Sequence, residues 1–341
     1  MEQPTMAAIQ VHAYGGADQL TLGRIPRPEL GDGEALVRVR AAGVNPIDWK
    51  LREGVRRDVI PMRFPYVPGV DLAGVVEQVG PGVTTVRPGQ EVFGRSTHGS
   101  YAEYALAPAQ ALASKPTTVG FDEAAAIPLG ATTAWQGLFD QGHIEPGQRV
   151  LILGGAGGVG LFAVQFARWK GAEVIATASA RNADFVRSLG AQTVIDYTTT
   201  PVADAARDVD LVFDTVGGAA LAGVWPALKR GGTLVSIAGQ ADEAQARERD
   251  VRTARFSAQI SGDLLGAFAR LIDEGQVTVM VGATFWARPG KPRNSARAAM
   301  AADASSCRSA NTGDRDAETG RSPCPKAPLL NNLYIHRVHP R

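Results

Sequence analysis

The sequence predicts an α/β protein in two parts, a β-rich module followed by a doubly wound parallel sheet covered by helices. Three observations carry this. Up to about residue 120, short apolar runs are separated by Gly and Pro. From about 121, apolar strands alternate with helical segments. At 150–160, an apolar run leads straight into a glycine-rich turn.

In the first part, 35–40 alternates apolar and charged residues, as a half-buried strand does. Turn chemistry recurs at Gly31-Asp32-Gly33, Pro81-Gly82 and Arg87-Pro88-Gly89, each just before an apolar run, so antiparallel strands joined by tight turns are expected. Asp122 is placed as N-cap of an Ala-rich helix. Strands are expected at 150–153, Glu173–Ala178, Thr193–Asp196, 211–214 and 233–238, with an amphipathic helix over 161–170. The segment 240–273 reads as helical and 277–285 as a strand. The resulting domains are 1–120, 121–250 and a return segment 251–285.

Residues 286–341 are different. They are rich in Arg, Ala, Ser, Pro and Asn and show no period until an apolar patch at 329–335, so most of this tail is expected to be poorly ordered. They hold 10 of the 35 Lys+Arg but only 4 of the 34 Asp+Glu. Residues 1–285 thus keep 25 basic against 30 acidic side chains, a net −5 that argues against a nucleic-acid or membrane partner for the main body. The chain starts Met-Glu-Gln-Pro-Thr, without a basic start or an apolar core, and a cytoplasmic setting is expected. Its two cysteines, Cys307 and Cys324, both lie in the tail, leaving the body neither a disulfide framework nor a thiolate metal site.

The strongest chemical signal is the strand at 150–153 followed by Gly154-Gly155-Ala156-Gly157-Gly158-Val159-Gly160. Glycines at 155, 157 and 160 permit a tight turn, close approach of backbone to a pyrophosphate, and packing of the next helix on the sheet. A glycine-rich surface turn is the alternative, but it would not need a strand before and a helix after. Where NAD-specific sheets place an acidic residue at the end of the second strand, this chain reads Ala178-Ser179-Ala180-Arg181. Ser179 and Arg181 suit a 2′-phosphate and favour NADP(H), although Arg181 could equally be a solvated helix residue.

Several segments, in one order over about 6–285, resemble a known family. They are Asn45-Pro46-Ile47-Asp48-Trp49-Lys50 with the residues before it, Pro68-Gly69-Val70-Asp71-Leu72-Ala73-Gly74, Gly99-Ser100-Tyr101-Ala102-Glu103-Tyr104, 124–135, the glycine turn, and Asp214-Thr215-Val216-Gly217-Gly218. The chain resembles the medium-chain dehydrogenases/reductases of the zeta-crystallin-like quinone oxidoreductase type. The resemblance implies a GroES-like catalytic domain, a Rossmann domain, and NADPH-dependent reduction of a quinone or α,β-unsaturated carbonyl. It also implies a homodimer through the Rossmann sheets. Zinc-dependent relatives carry a cysteine within the stretch matching 43–48 and Gly-His-Glu at 69–71; here both ligands are missing, so no metal is expected. A binding protein without turnover is the competing function, and a zinc-dependent alcohol dehydrogenase a weaker one.

The resemblance places Asn45 as a hydrogen-bond donor to the enolate oxygen and Tyr66 as a proton donor or pocket wall. For Asp48 and Lys50 a local ion pair or turn cap is at least as good a reading as a role in the site. Thr133 would lie near the nicotinamide, Tyr197 near the adenosine phosphate, and Ile237, Ala238 and Gly239 near the carboxamide, each with plain packing as its alternative. His12, His98 and His143 are scattered, and a solvent-facing role is expected for each. Relatives end with an amphipathic helix and a strand that returns to the first domain. Neither pattern is visible here, and the tail reads as a shifted reading frame or a native extension of its own.

Overall fold

The structure, a computed structural model, describes residues 3–287 and 334–338. The expected disorder of the tail therefore falls, for 288–333 and 339–341, outside the described residues. Contacts divide the chain into two units, one holding the residues up to Leu129 and those from Ile260 on, the other Gly130–Gln259.

The first unit is built on β1 (Thr5–Val11), β2 (Leu20–Pro26), β3 (Glu34–Val44), α1 (Pro46–Arg52), β4 (Asp71–Val79), β5 (Glu91–Arg95), β6 (Tyr104–Pro108), β7 (Leu112–Ser114) and α2 (Phe121–Ala125). β1 and β2 form an antiparallel hairpin. The larger sheet runs through β3, β4, β5 and β7, with β6 also on β3, all antiparallel. Along β3, Val37 and Val39 face inward while Arg40 is exposed; from Ala41 to Val44 both faces are buried. The expected turns form, with Gly82 and Gly89 at φ 77° and 83°, values that a side chain would strain. The core gathers Ile9, Val37, Leu72, Val92 and Tyr101.

Asp122 is not the cap of α2. Gly120 takes that place, and Asp122 sits in the first turn, where its charge still favours the amide end of the helix. Residues 121–129, grouped with the second part in the sequence reading, belong with the first unit because α2 packs on β3 and β4. A Cβ on Gly43 of β3 would come within 2.5 Å of the Ala125 carbonyl oxygen, so only glycine permits this approach.

The second unit continues from α3 (Pro128–Trp135), whose first two residues lie in the first unit, through β8 (Arg149–Leu153), α4 (Gly160–Lys170), β9 (Glu173–Ala178), α5 (Ala183–Ser188), β10 (Thr193–Asp196), α6 (Val202–Ala205), β11 (Val209–Asp214), α7 (Gly218–Ala222), β12 (Leu228–Ser236), α8 (Glu243–Arg249) and β13 (Arg252–Ala254). The strands are parallel, in the order β10-β9-β8-β11-β12-β13. This is the doubly wound order of dinucleotide-binding sheets, in which the order reverses beside the first strand. The core holds Leu151, Leu153, Ile175, Val212, Trp225 and Leu234.

Three sequence expectations need correcting here. Helix α4 is not amphipathic over its length, since every residue from Gly160 to Ala167 is buried. The segment 240–273 is not one helical stretch: α8 and α9 (Gly262–Asp273) are separated by β13, which adds to the sheet beside β12. The last body strand is β14 (Ala283–Ala287), beginning later than 277.

The returning strand, expected to be missing, is present. Tyr334–Val338 forms β15, parallel to β14 and antiparallel to β3 at Ala42–Val44. It continues along the edge of β3 that β6 covers over Glu34–Arg38. Five residues are too few for a pattern to stand out, but Tyr, Ile and Val are strand formers, and the open edge of β3 supplies a template.

Candidate functional site

In the second unit, the candidate residues collect at the C-terminal ends of the parallel strands. β8 ends at Leu153, and Gly154 turns the chain with φ 81°. The turn is tied to β9: Gly154 N donates to Thr177 Oγ1 at 2.9 Å and Gly155 N to Thr177 O at 2.9 Å. A Cβ on Gly160 would lie 2.0 Å from Gly154 O, and one on Gly155 2.9 Å from Ala176 Cβ; at Gly157 the nearest protein atom would be 3.3 Å away. The packing of the turn itself thus demands glycine at 160 and 155, while at 157 it leaves space facing outward. Gly157, Gly158 and Val159 are partly exposed and Ala156 is buried, while Leu161 N donates to Gly157 O at 2.9 Å and Ala163 N to Val159 O at 3.0 Å, so the turn runs directly into α4. A strand, a glycine turn and a helix start in this arrangement form an anion cradle.

α3 reaches the same turn. Gly130 lies against the Gly158 carbonyl, where a Cβ would stand 2.7 Å from the oxygen. Thr133, three residues on, shares that face of the helix and is buried.

Across the switch point, the loop after β11 meets the turn through Thr215 Oγ1, which donates to Leu153 O at 2.7 Å. Asp214, fully buried, accepts from Val216 N at 2.9 Å and Gly217 N at 2.8 Å through one oxygen, and from Ser236 Oγ at 2.6 Å through the other. Ser236 Oγ in turn accepts from Ala238 N at 3.3 Å and Gly239 N at 3.0 Å, while Ile237 N donates to Asp214 O at 3.0 Å. The amides of 237–239 are therefore engaged within the protein. Asp214 lay inside a matched sequence segment, but its part in shaping the loops was not foreseen; only the pairing of β11 with β12 places Ser236 beside it.

Ser179, Arg181 and Tyr197 follow the ends of β9 and β10, which pair at Ala178 and Asp196. Arg181 is exposed and forms no ion pair among the described residues; Tyr197 is 61% exposed. A residue the sequence reading missed stands here as well. The Asp196 carboxylate accepts from Thr198 Oγ1 at 2.7 Å and Thr198 N at 3.0 Å, bonds that, with the Ala180 amide, hold it below the usual carboxylate range. A permanent negative charge thus sits close to the Ser179–Arg181 segment.

The first unit holds Asn45 and Tyr66. Asn45, buried, precedes α1 in extended conformation, and Pro46 opens the helix without needing an amide partner. Its backbone N donates to Asp48 Oδ2 at 2.8 Å, and Nδ2 donates to Asp71 Oδ2 at 3.0 Å. Asp48 also accepts from the Tyr101 hydroxyl at 2.9 Å, so it is a turn cap rather than an ion-pair partner of Lys50, whose ammonium lies over the Trp49 ring. Tyr66 pairs its backbone with Val11 and sets its ring against Phe64. Its hydroxyl is buried and has no partner among the described residues. Burial first, then the Asp48 carboxylate, pushes its pKa up to about 12, against the opposing Arg52, so the phenol stays neutral. Asp71 lies in one of the matched sequence segments, whose pattern assigns it no role. It is fully buried, and burial pushes its pKa up to about 7 despite hydrogen bonds from the Leu129 amide and Asn45.

Residues 31–117 match the profile described as alcohol dehydrogenase GroES-like domain, and 158–276 that described as zinc-binding dehydrogenase. The residues present do not fit the ion in the second description. Among the described residues no three His, Cys, Asp or Glu side chains gather as ligands, and the Asp71 oxygen that is bonded faces two N–H donors. The quinone-oxidoreductase homolog of Spinacia oleracea is 37% identical over 250 residues, covering 70% of this chain and 76% of that protein. The NADPH-dependent alkenal/one oxidoreductase of Arabidopsis thaliana is 36% identical over 280 residues, covering 79% and 69%. The solved quinone oxidoreductase from Coxiella burnetii superposes with a TM-score of 0.81 at 27% identity, covering 98% of this chain and all of that one. A GroES-like first part, a doubly wound sheet in the order found here and these relatives have one reading: the chain belongs to the zeta-crystallin-like quinone oxidoreductase family of the medium-chain dehydrogenases/reductases.

Proposed function

We propose that the protein is an NADPH-dependent, zinc-independent reductase of quinones and α,β-unsaturated carbonyls. The observation that carries this reading is the glycine cradle at the switch point of the parallel sheet, where close packing at Gly155 and Gly160 leaves Ala156–Gly160 backbone to face a pyrophosphate. The coenzyme supplies a hydride when bound. Thr133 and the carbonyls of Ile237, Ala238 and Gly239 would orient its nicotinamide end; Ser179, Arg181 and Tyr197 would hold its adenosine end. Arg181 favours a 2′-phosphate, and the nearby Asp196 charge opposes it, so the preference for NADPH over NADH is their difference.

Reduction of a conjugated C=C places negative charge on the carbonyl oxygen. Asn45 Nδ2 and the neutral, unpartnered Tyr66 hydroxyl are the donors we assign to that oxygen. A quinone needs less help, because aromatisation drives its reduction. The names of the spinach and Arabidopsis relatives agree with both substrate classes. Among the described residues no helix is long and apolar enough to cross a membrane. A cytoplasmic setting and a homodimer through the second unit's sheet are part of the proposal, to be tested by cell fractionation and light scattering.

The test is NADPH oxidation by purified protein with a panel of quinones, alkenals and enones, beside a calorimetric NADPH titration. Turnover with at least one member is expected; tight NADPH binding with no turnover across the panel would leave a binding protein instead.

A further inference from the structure

Two carboxylates hold Asn45 from two directions. Asp48 takes its main-chain N–H, and Asp71 takes its side-chain Nδ2. The main-chain contact has an ordinary cause, since an acidic residue three positions into a helix caps its start. The side-chain contact does not. Asp71 opens β4 with no exposed surface; Oδ2 accepts from Asn45 Nδ2 and Leu129 N, both at 3.0 Å, while Oδ1 is buried without a partner among the described residues. Such a group weakens the fold compared with a neutral one of the same shape, and perturbed carboxyls of this kind concentrate where chemistry needs them.

A carboxylate does one thing an amide cannot: it only accepts. Facing Asp71, the Asn45 side chain must turn Nδ2 inward, whereas an amide at 71 would allow either end. Gly43 lies against the same side chain, where a Cβ would stand 3.0 Å from Asp71 Cβ. We propose that Asp71 is a positioning residue for the reaction, its carboxylate fixing the Asn45 amide so that the second Nδ2–H is offered to the substrate oxygen. This rests on the reductase reading above. The charged and titratable groups acting on Asp71 are Asp48 of α1, Arg95 of β5 and the Tyr101 hydroxyl, and β3 presents Gly43.

The experiment compares wild type, Asp71→Asn, Asn45→Ala and the double variant, each titrated with NADPH and assayed with 9,10-phenanthrenequinone and an alkenal. Asp71→Asn should lower kcat roughly 10- to 100-fold while KM stays within about twofold, the mark of a donor used mainly in the transition state. In the Asn45→Ala background the same change should add less than about twofold, because its intermediary is gone. An unchanged kcat, or losses that multiply in full, would overturn the proposal. The second readout needs no turnover. In 15N-asparagine-labelled wild type, the Asn45 side-chain NH2 signals, assigned by their loss in Asn45→Ala, should shift with pH with a midpoint near neutrality. Signals that stay still between pH 5 and 9 would sink it. A wild type that binds NADPH but reduces nothing overturns the reductase reading, and the amide titration then still decides whether Asp71 governs Asn45.

Discussion

The Asp214 carboxylate accepts a 2.6 Å hydrogen bond from Ser236 Oγ, and through this one contact the loops after two neighbouring strands become a single piece. Asp214 gathers Val216 and Gly217, and Ser236 gathers Ala238 and Gly239. Ser236→Ala leaves a buried carboxylate oxygen and two amides without partners. It should destabilise the protein by about 1–3 kcal/mol in a denaturant melt and weaken NADPH binding in calorimetry. A variant matching wild type in both would show that the loops hold their shape without the clip.

Substitutions in the glycine turn should separate protein packing from ligand space. Gly160→Ala drives a Cβ to 2.0 Å from Gly154 O, so α4 must move, and both melting temperature and NADPH affinity should fall. Gly157→Ala meets only a 3.3 Å contact in the protein. Its melting temperature should stay near wild type while NADPH affinity falls about tenfold or more, since the methyl group would occupy phosphate space.

Coenzyme choice should respond in opposite senses at two positions. Arg181→Ala should weaken NADPH by roughly 1–3 kcal/mol and leave NADH nearly unchanged, as removal of a charge-assisted contact to a 2′-phosphate would. Asp196→Asn should tighten NADPH by removing a nearby negative charge, also sparing NADH. Equal effects on both coenzymes, read by fluorescence titration, would count against a 2′-phosphate site here.

Asp71 predicts a slope of stability with pH. Its pKa rises from 3.8 to about 7 on folding, so the folded state binds the proton more tightly. The associated stability is fully present below about pH 4 and is lost as pH climbs through about 7, on the order of a few kcal/mol at about 1.4 kcal/mol per unit. Asp71→Asn should remove this component, so its melting temperature should gain on wild type more at pH 8 than at pH 5. The same change that stabilises the fold should slow turnover, a trade common where function holds a group in an unfavourable place.

Truncation after Ala287 should lower melting temperature and solubility. It removes β15, which pairs with β14 and with β3 at Ala42–Val44, and so exposes ladder groups on both. A truncated protein that melts with the full chain would show that this strand adds nothing to the sheet.

The periodicities near in sequence were legible. Alternation in 35–40, the apolar runs that became β8 to β11, and the strand-turn-helix at 150–160 are local patterns, because side-chain period and turn chemistry are properties of a few consecutive residues. The spacing of glycines also marked the tight turn between β8 and α4. Contacts that span the chain were not legible. Asn45 and Asp71 lie 26 positions apart and Asp214 and Ser236 22 apart, and which of them meet depends on strand register. Asp196 could be seen beside Tyr197, yet its nearness to Ala180 requires β9 and β10 to be neighbours. The sequence alone determined the groups on offer: a glycine turn between a strand and a helix, amide and phenol side chains, and no cysteine or histidine at the places matching the zinc ligands. The tertiary structure alone decided which carboxyl each donor faces and how much water it keeps, because burial and long-range pairing set pKa and orientation, and neither is written in neighbouring residues.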